Sequence, residues 1–254
     1  MRPYILAETN WKAVKEQKTE VAVLTWGATE AHNFHLPYAT DNYQIEAIAA
    51  EAAKNAWEAG AKVLVLPNIP YGVNTGQTEV ELCMNLYPST QLAILNDLVE
   101  VLHRSGIKKL LLLNGHGGNN FKALLREVGA RYPKMLLVTT SFFQTVDRKE
   151  FFEEAGDHAD EMESSLMLHL KPELVLPLQE AGTGEEKRSK LTAIKQGWAW
   201  SERKWHLVSA DTGIGNPKKA SAEKGKRFFE AVTRQVADLL LEMDKINNED
   251  RYEE

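Results

Sequence analysis

Four short apolar runs alternate with amphipathic segments along the first half of the chain, and this alternation constrains the fold more than any other feature. Val21–Trp26 reads VAVLTW, Lys62–Pro67 reads KVLVLP, Lys109–Leu113 reads KLLLL and Met135–Ser141 reads MLLVTTS. None alternates strictly, as expected of strands covered on both faces of a parallel sheet. Between them, residues 43–59 place Ile45, Ile48, Ala49, Ala52, Ala53, Ala56 and Trp57 at helical spacing, and Gly60 is suited to end that helix in the left-handed conformation. Residues 89–104 carry Leu92, Leu95, Leu98, Val99 and Leu102 on one side before Ser105-Gly106, and Phe121–Arg131 is a third helix. Strand and helix in alternation predict an α/β fold with a mainly parallel sheet and right-handed crossovers. A length of 254 residues suits one domain spanning 1–254.

The second half is less regular. Residues 160–170 read as a short helix. The stretch 178–216 is loose, carries Trp198, Trp200 and Trp205, and suits a hairpin, a lid or a subunit contact. Asn216-Pro217 is expected to open a long C-terminal helix whose buried stripe is Phe228, Val232, Val236, Leu239, Leu240 and Met243. The tail 247–254 is polar and expected to fray.

Composition narrows the function. The net charge is −6, and the basic residues are scattered, with short clusters only at Lys187-Arg188 and Lys218-Lys219. A nucleic-acid partner is therefore not expected. The one cysteine, Cys83, excludes an intrachain disulfide and a cysteine-rich zinc site, and reads as a small buried hydrophobe. No apolar run nears the ~20 residues of a membrane span, and no signal-peptide core follows Met1. The expectation is a cytoplasmic protein with no membrane partner.

Three polar clusters punctuate this frame. Glu30, His32, His35 and Asp41 follow the run at 21–26. The loop Asn114-Gly115-His116-Gly117-Gly118-Asn119-Asn120 follows the run at 109–113. Asp157-His158-Ala159-Asp160-Glu161-Met162-Glu163 spans the start of the helix at 160–170. Carboxylates and imidazoles are the ligands that Zn²⁺, Mn²⁺ or Fe²⁺ take. In open parallel sheets, ligands bind beyond the carboxyl ends of the strands. The first two clusters should therefore meet at one rim of the sheet, whereas no topological argument brings Glu163 there.

Each residue also has a plainer reading. Glu30 fits a surface carboxylate, and His32 and His35 fit capping or loop histidines. Asp41 sits where a helix N-cap belongs. The acids at 157–163 fit a solvated helix start that complements the macrodipole. His103 and His169 read as structural. The glycines at 115–118 could cradle a phosphate, although the third glycine of a dinucleotide fingerprint and the Gly-Lys of a P-loop are both missing. Asn114 and Asn119 fit residues that tie the turn together.

The three clusters resemble the motifs of the creatininase family, the creatinine amidohydrolases. The first appears as Gly27-Ala28-Thr29-Glu30-Ala31-His32-Asn33-Phe34-His35-Leu36-Pro37 with Asp41, the second as Asn114–Asn119, and the third as Gly156-Asp157-His158-Ala159 with Glu163-Ser164-Ser165. Gly213-Ile214-Gly215-Asn216-Pro217 resembles a late family turn. The resemblance implies a three-layer α/β sandwich, a homo-oligomer with a hexamer among the forms open to it, and two divalent ions. Zn is the expected ion, with Mn or Fe as alternatives. It matches Glu30, His32, Asp41 and His116 to ligand positions, with Asp41 as the bridge. Creatininases carry a glutamate ligand where this chain has Gly118, so Glu163 is expected to supply the missing carboxylate. That departure points away from creatinine itself. Ala31 and Asn33 replace a glutamine and a glycine of the family pattern.

The implied reaction is hydrolysis of a non-peptide carbon–nitrogen bond in a small molecule, a cyclic amide or formamide, by attack of a metal-bridging hydroxide. His158 is the expected acid for the leaving nitrogen, and Glu163 stands with it at the reacting centre. Tyr71, Tyr87 and the tryptophans at 198–205 are candidates for the pocket wall. The alternatives are a metallopeptidase for a short or modified peptide, a metal-binding relative without catalysis, and a phosphate- or nucleotide-binding protein.

Overall fold

A computed structural model of the chain describes residues 2–253. A short helix α1 (Trp11–Glu16) leads into β1 (Val21–Trp26), α2 (Thr40–Glu58), β2 (Val63–Val65), α3 (Pro88–Arg104), β3 (Lys109–Asn114), α4 (Phe121–Arg131) and β4 (Leu136–Ser141). The strands form one parallel sheet in the order β2-β1-β3-β4. β1 and β3 pair from Val21↔Lys109 to Trp26↔Asn114, so both end at the same rim.

Strand pleating explains the three layers. Val21 and Val23 of β1 and Leu111 and Leu113 of β3 face one core, where they meet Ile45, Ile48 and the alanines of α2. Ala22, Leu24 and Trp26 with Leu110 and Leu112 face the opposite core, against Leu95 and Val99 of α3 and Phe121 and Val128 of α4. Both faces are covered, which is why the strands read as unbroken apolar runs. Gly60 ends α2 at φ +98°, as its position predicts. The run at 62–67 is a strand only over Val63–Val65.

Beyond β4, β5 (Gly156–His158) leads into α5 (Glu161–Leu170), and two short helices follow, α6 (Thr192–Lys195) and α7 (Trp205–Val208). β6 (Ile214–Gly215) returns to pair antiparallel with β5. The loose stretch is thus mostly irregular, and its end forms half of a two-stranded ribbon. The long helix α8 (Ala222–Lys245) lies over α2 and α5 and carries Phe228, Val232, Val236, Leu240 and Met243 into the core.

Asn216-Pro217 does not open that helix. Pro217–Lys219 is a separate 3₁₀ turn, and α8 starts only after Ser221, whose hydroxyl accepts the Lys224 N–H. A proline at a first turn serves a 3₁₀ turn as well as an α-helix, and the better cap lay further on. At Gly225, α8 runs so close to α5 that a Cβ would lie 1.9 Å from the Ser165 carbonyl oxygen. Among the described residues no helix is long and apolar enough to cross a membrane.

Candidate metal centre

The loop after β1 is shaped before it is functional. The Glu30 N–H donates to the Tyr38 carbonyl at 3.0 Å, which folds the segment into a closed loop. Asn33 lies at φ +54°, a conformation that suits glycine and that asparagine tolerates better than most residues. Its side chain accepts the Gly182 N–H at 2.8 Å. Asparagine therefore both supplies the positive φ of this turn and anchors the base of the irregular segment.

Asp41 is not an N-cap. α2 begins at Thr40 with Ala39 before it, so Asp41 lies in the first turn and points into the protein. The acids at 160–163 are not a solvated helix start either, because Asp160, Glu161 and Glu163 are all buried. Asp160 caps α5 by accepting the Glu163 N–H at 3.1 Å and pairs with Arg148. Glu161 accepts the N–H groups of Glu153 and Glu154 at 2.9 and 2.7 Å. Ala159, at φ +49°, makes the sharp turn between His158 and this helix. Such a conformation is costly for alanine and occurs most often at working sites.

These elements bring Glu30, His32, Asp41, His116, His158 and Glu163 together. Asp41 Oδ1 lies 3.1 Å from His32 Nε2, and Asp41 Oδ2 lies 3.0 Å from His116 Nδ1. Glu30 Oε1 lies 2.8 Å from His116 Nδ1 and 3.9 Å from His158 Nδ1. Glu163 Oε2 lies 3.9 Å from His32 Nε2. Two sets have ligand atoms all within 4.8 Å of one another and share Asp41: Glu30 with His116, and His32 with Glu163. A third such set joins Glu30, His32 and His158.

Each imidazole has one nitrogen committed to a backbone carbonyl, which can only accept. His32 Nδ1–H donates to Glu30 O at 3.1 Å, His116 Nε2–H to Val73 O at 3.0 Å and His158 Nε2–H to Ala31 O at 2.8 Å. The second nitrogen of each ring, His32 Nε2, His116 Nδ1 and His158 Nδ1, is thereby turned toward the carboxylates. This is the outer-shell arrangement typical of metal-ligating histidine. Glu30 Oε1 is buried and faces only the nitrogens of His116 and His158, which are themselves ligand atoms, as an oxygen reserved for a cation would.

The electrostatics carry the same sign. Burial disfavours charge on His32, yet Asp41 and Glu163 outweigh it and push the imidazole up to about 10. His116 is buried too and is raised well above its usual range by Glu30 and Asp41. Burial tends to raise Asp41 and Glu30, but the neighbouring histidines hold both below the usual carboxylate range. Burial, with Asp41 and Asp160, pushes Glu163 up to about 8. Three buried carboxylates in contact with two imidazoles favour positive charge at this spot. The donor set fits divalent ions.

His35 lies apart from the cluster. Its Nε2 shares a 2.7 Å hydrogen bond with the Ser164 hydroxyl, which ties the loop to α5, and burial with nearby His32 pushes it down to about 4. Asn114 and Asn119 tie the second loop, the amide of each bonding within it. The glycine at 118 leaves no space for a side chain, since a Cβ would lie 2.3 Å from Val73 O and 2.5 Å from His116 Nε2.

A cavity of about 1140 Å³ opens on the cluster, lined in part by Phe143, Ile194, Trp200 and Trp205. Trp205 meets the His158 ring edge-on at 4.8 Å. Tyr71, Tyr87 and Trp198 are exposed and do not line it. Sequence reasoning missed Gln77, which is buried and donates to Glu30 Oε2. It stands in a Thr-Gly-Gln-Thr turn with no motif to single it out.

A parallel sheet covered on both faces, with a histidine–carboxylate cluster buried at its rim, defines the framework of a metal-dependent amidohydrolase. The chain belongs to the creatininase family, whose profile, described as creatinine amidohydrolase, matches residues 7–240. It is 43% identical to a protein from Bacteroides fragilis provisionally named creatinine amidohydrolase, with 97% of this chain and 98% of that one covered and a TM-score of 0.92. A mutant creatininase of Zn-Zn type is 23% identical over 96% of this chain and 99% of its own, with a TM-score of 0.80. A Mn creatininase is 24% identical with the same coverage and a TM-score of 0.76. These last two likenesses speak for the fold. No curated protein gives a significant match.

Proposed function

We propose that the chain hydrolyses a non-peptide carbon–nitrogen bond, in a cyclic amide or formamide, with two divalent ions. One observation carries the reading: the two oxygens of Asp41 face two different histidines, so a single carboxylate divides the cluster into two ligand sets. Glu30 and His116 would hold one ion with Asp41, and His32 and Glu163 the other. When bound, such ions supply Lewis acidity and lower the pKa of water toward about 7.

The remaining chemistry belongs to the side chains. His158 is kept neutral, because burial and neighbouring His32 both push its pKa down. Its Nε2–H is committed to Ala31 O, so Nδ1 offers a lone pair toward the cluster. His158 therefore starts as a base at Nδ1. It takes a proton from the attacking water and then hands it to the leaving nitrogen, a role worth roughly 10²–10⁴ in rate. Trp205, packed against the ring, limits its rotation and screens it from bulk water.

The cavity supports a second reading. Its volume of about 1140 Å³ slightly exceeds the ~300–1,000 Å³ of ordinary small-molecule sites, which leaves room for a short or modified peptide. Tyr38, Leu82 and Met84 are exposed apolar residues beside the first loop, a feature that supports a homo-oligomer.

The test is a panel of lactams, formamides and short peptides offered to protein loaded with Zn²⁺, Mn²⁺ or Fe²⁺. Hydrolysis of a non-peptide amide that disappears with chelation is the expected outcome. Hydrolysis of peptides alone favours the second reading. Activity that survives complete metal removal overturns both.

A further inference from the structure

We infer that Gln77 is a positioning residue for Glu30 and that the Cys83 thiol holds it in its working orientation. The inference deepens the metal-site reading above and rests on it. Both residues come from the connection between β2 and α3, which contributes no ligand to the cluster.

Four groups form one directed chain. The Ala31 N–H donates to Cys83 Sγ at 3.2 Å. The Cys83 thiol donates to Gln77 Oε1 at 3.1 Å. The Gln77 amide nitrogen donates to Glu30 Oε2. Every link runs the same way, so each bond polarises the next.

The direction decides the orientation of the Gln77 amide. Rotated by half a turn, its oxygen would face the Glu30 carboxylate, acceptor against acceptor. Its NH₂ would face a sulfur that already accepts the Ala31 N–H. Asn74 Oδ1, 3.5 Å from the Gln77 amide nitrogen, favours the same orientation, and the thiol secures it from the oxygen side, so that Gln77 stays a donor toward Glu30. The turn itself is fixed from both ends. The Gln77 N–H donates to Asn74 O at 2.9 Å, and the Asn74 N–H donates to Asn85 Oδ1 at 2.7 Å.

Glu30 feels the result at its two oxygens. Oε2 is occupied by Gln77, while Oε1 faces His116 and His158. The carboxylate thus presents one oxygen to the cluster, in one orientation. Without Gln77 it could rotate or offer both oxygens to an ion, and Oε2 would be buried without a partner. Removing outer-shell partners of this kind typically weakens metal affinity roughly 10–100-fold.

The experiment measures binding of Zn²⁺ by chelator competition, alongside the melting temperature of the metal-free protein. Gln77→Leu is expected to weaken the tighter or the weaker of two ions roughly 10–100-fold while the other changes little. Cys83→Ala is expected to weaken the same ion roughly two- to fivefold, and Cys83→Ser, which keeps a donor, to restore it. A purely structural role would move the melting temperature and leave the alanine and serine variants equal in affinity. Unchanged affinities in Gln77→Leu overturn the inference. Should that variant not fold, equal affinities in Cys83→Ala and Cys83→Ser overturn it. Wild-type protein that binds no ion overturns the metal reading and this inference with it.

Discussion

His116 Nδ1 lies 3.0 Å from Asp41 Oδ2, although 75 positions separate the two residues along the chain. The contact exists because β1 and β3 end side by side and α2 starts against the same rim. Asp41→Asn keeps the shape and removes the charge shared by both ligand sets. Metal content should fall well below two equivalents, and kcat/KM by roughly 10³-fold, the factor that several kcal/mol represents. Elemental analysis and steady-state kinetics on one preparation check both.

Metal affinity should rise with pH. An ion must displace protons from His32, held up at about 10, and from Glu163, held up at about 8. Zn²⁺ titrations at pH 6, 7 and 8 should give tighter binding at each step and proton release in weakly buffered solution.

The metal-free protein should lose stability over the same direction of pH. His32 and Glu163 both bind protons more tightly folded than unfolded. The contribution of His32 is complete below its ordinary value of 6.5 and is lost as the pH rises through about 10, and that of Glu163 is complete below 4.5 and is lost through about 8. Glu30 and Asp41 are shifted down, so their contribution is lost only on the acid side. The melting temperature of chelator-treated protein should therefore fall between pH 6.5 and 10, and saturating metal should flatten that decline.

His158→Ala should separate proton transfer from ion binding. Loss of a base costs roughly 10²–10⁴ in kcat. Both ions should remain, since Glu30 and His32 each have other partners in the cluster. Loss of an ion in this variant would make His158 a ligand instead, as the third set of ligand atoms allows.

Gly118→Glu should not create a further carboxylate ligand. A side chain there would strike Val73 O and His116 Nε2, the two atoms whose hydrogen bond orients His116. The expected outcome is weaker metal binding than wild type, read by chelator competition.

The sheet was legible because buried parallel strands leave unbroken apolar runs, and Val21–Trp26 and Lys109–Asn114 do so over almost their whole length. The rim position of Glu30, His32 and His116 followed from topology. Glu163 did not, since its place depends on the turn at Ala159 and the Asp160 cap, which local sequence disguises as an acidic helix start. The start of α8 was misplaced because Pro217 competes with Ser221 as a start signal. Gln77 was invisible for another reason: its partner Glu30 is 47 positions away, and a lone glutamine in a turn carries no periodic or spacing signal.

The parallel alignment of Trp26 with Asn114 has a consequence for how the protein acquires its chemistry. A slip of two residues between these strands would carry His116 roughly 6.6 Å along the sheet, beyond the reach of any shared cation. Tight chelation is thus a reporter of correct strand pairing. A nascent chain can earn it only after residue 116 has been threaded beside its distant partner.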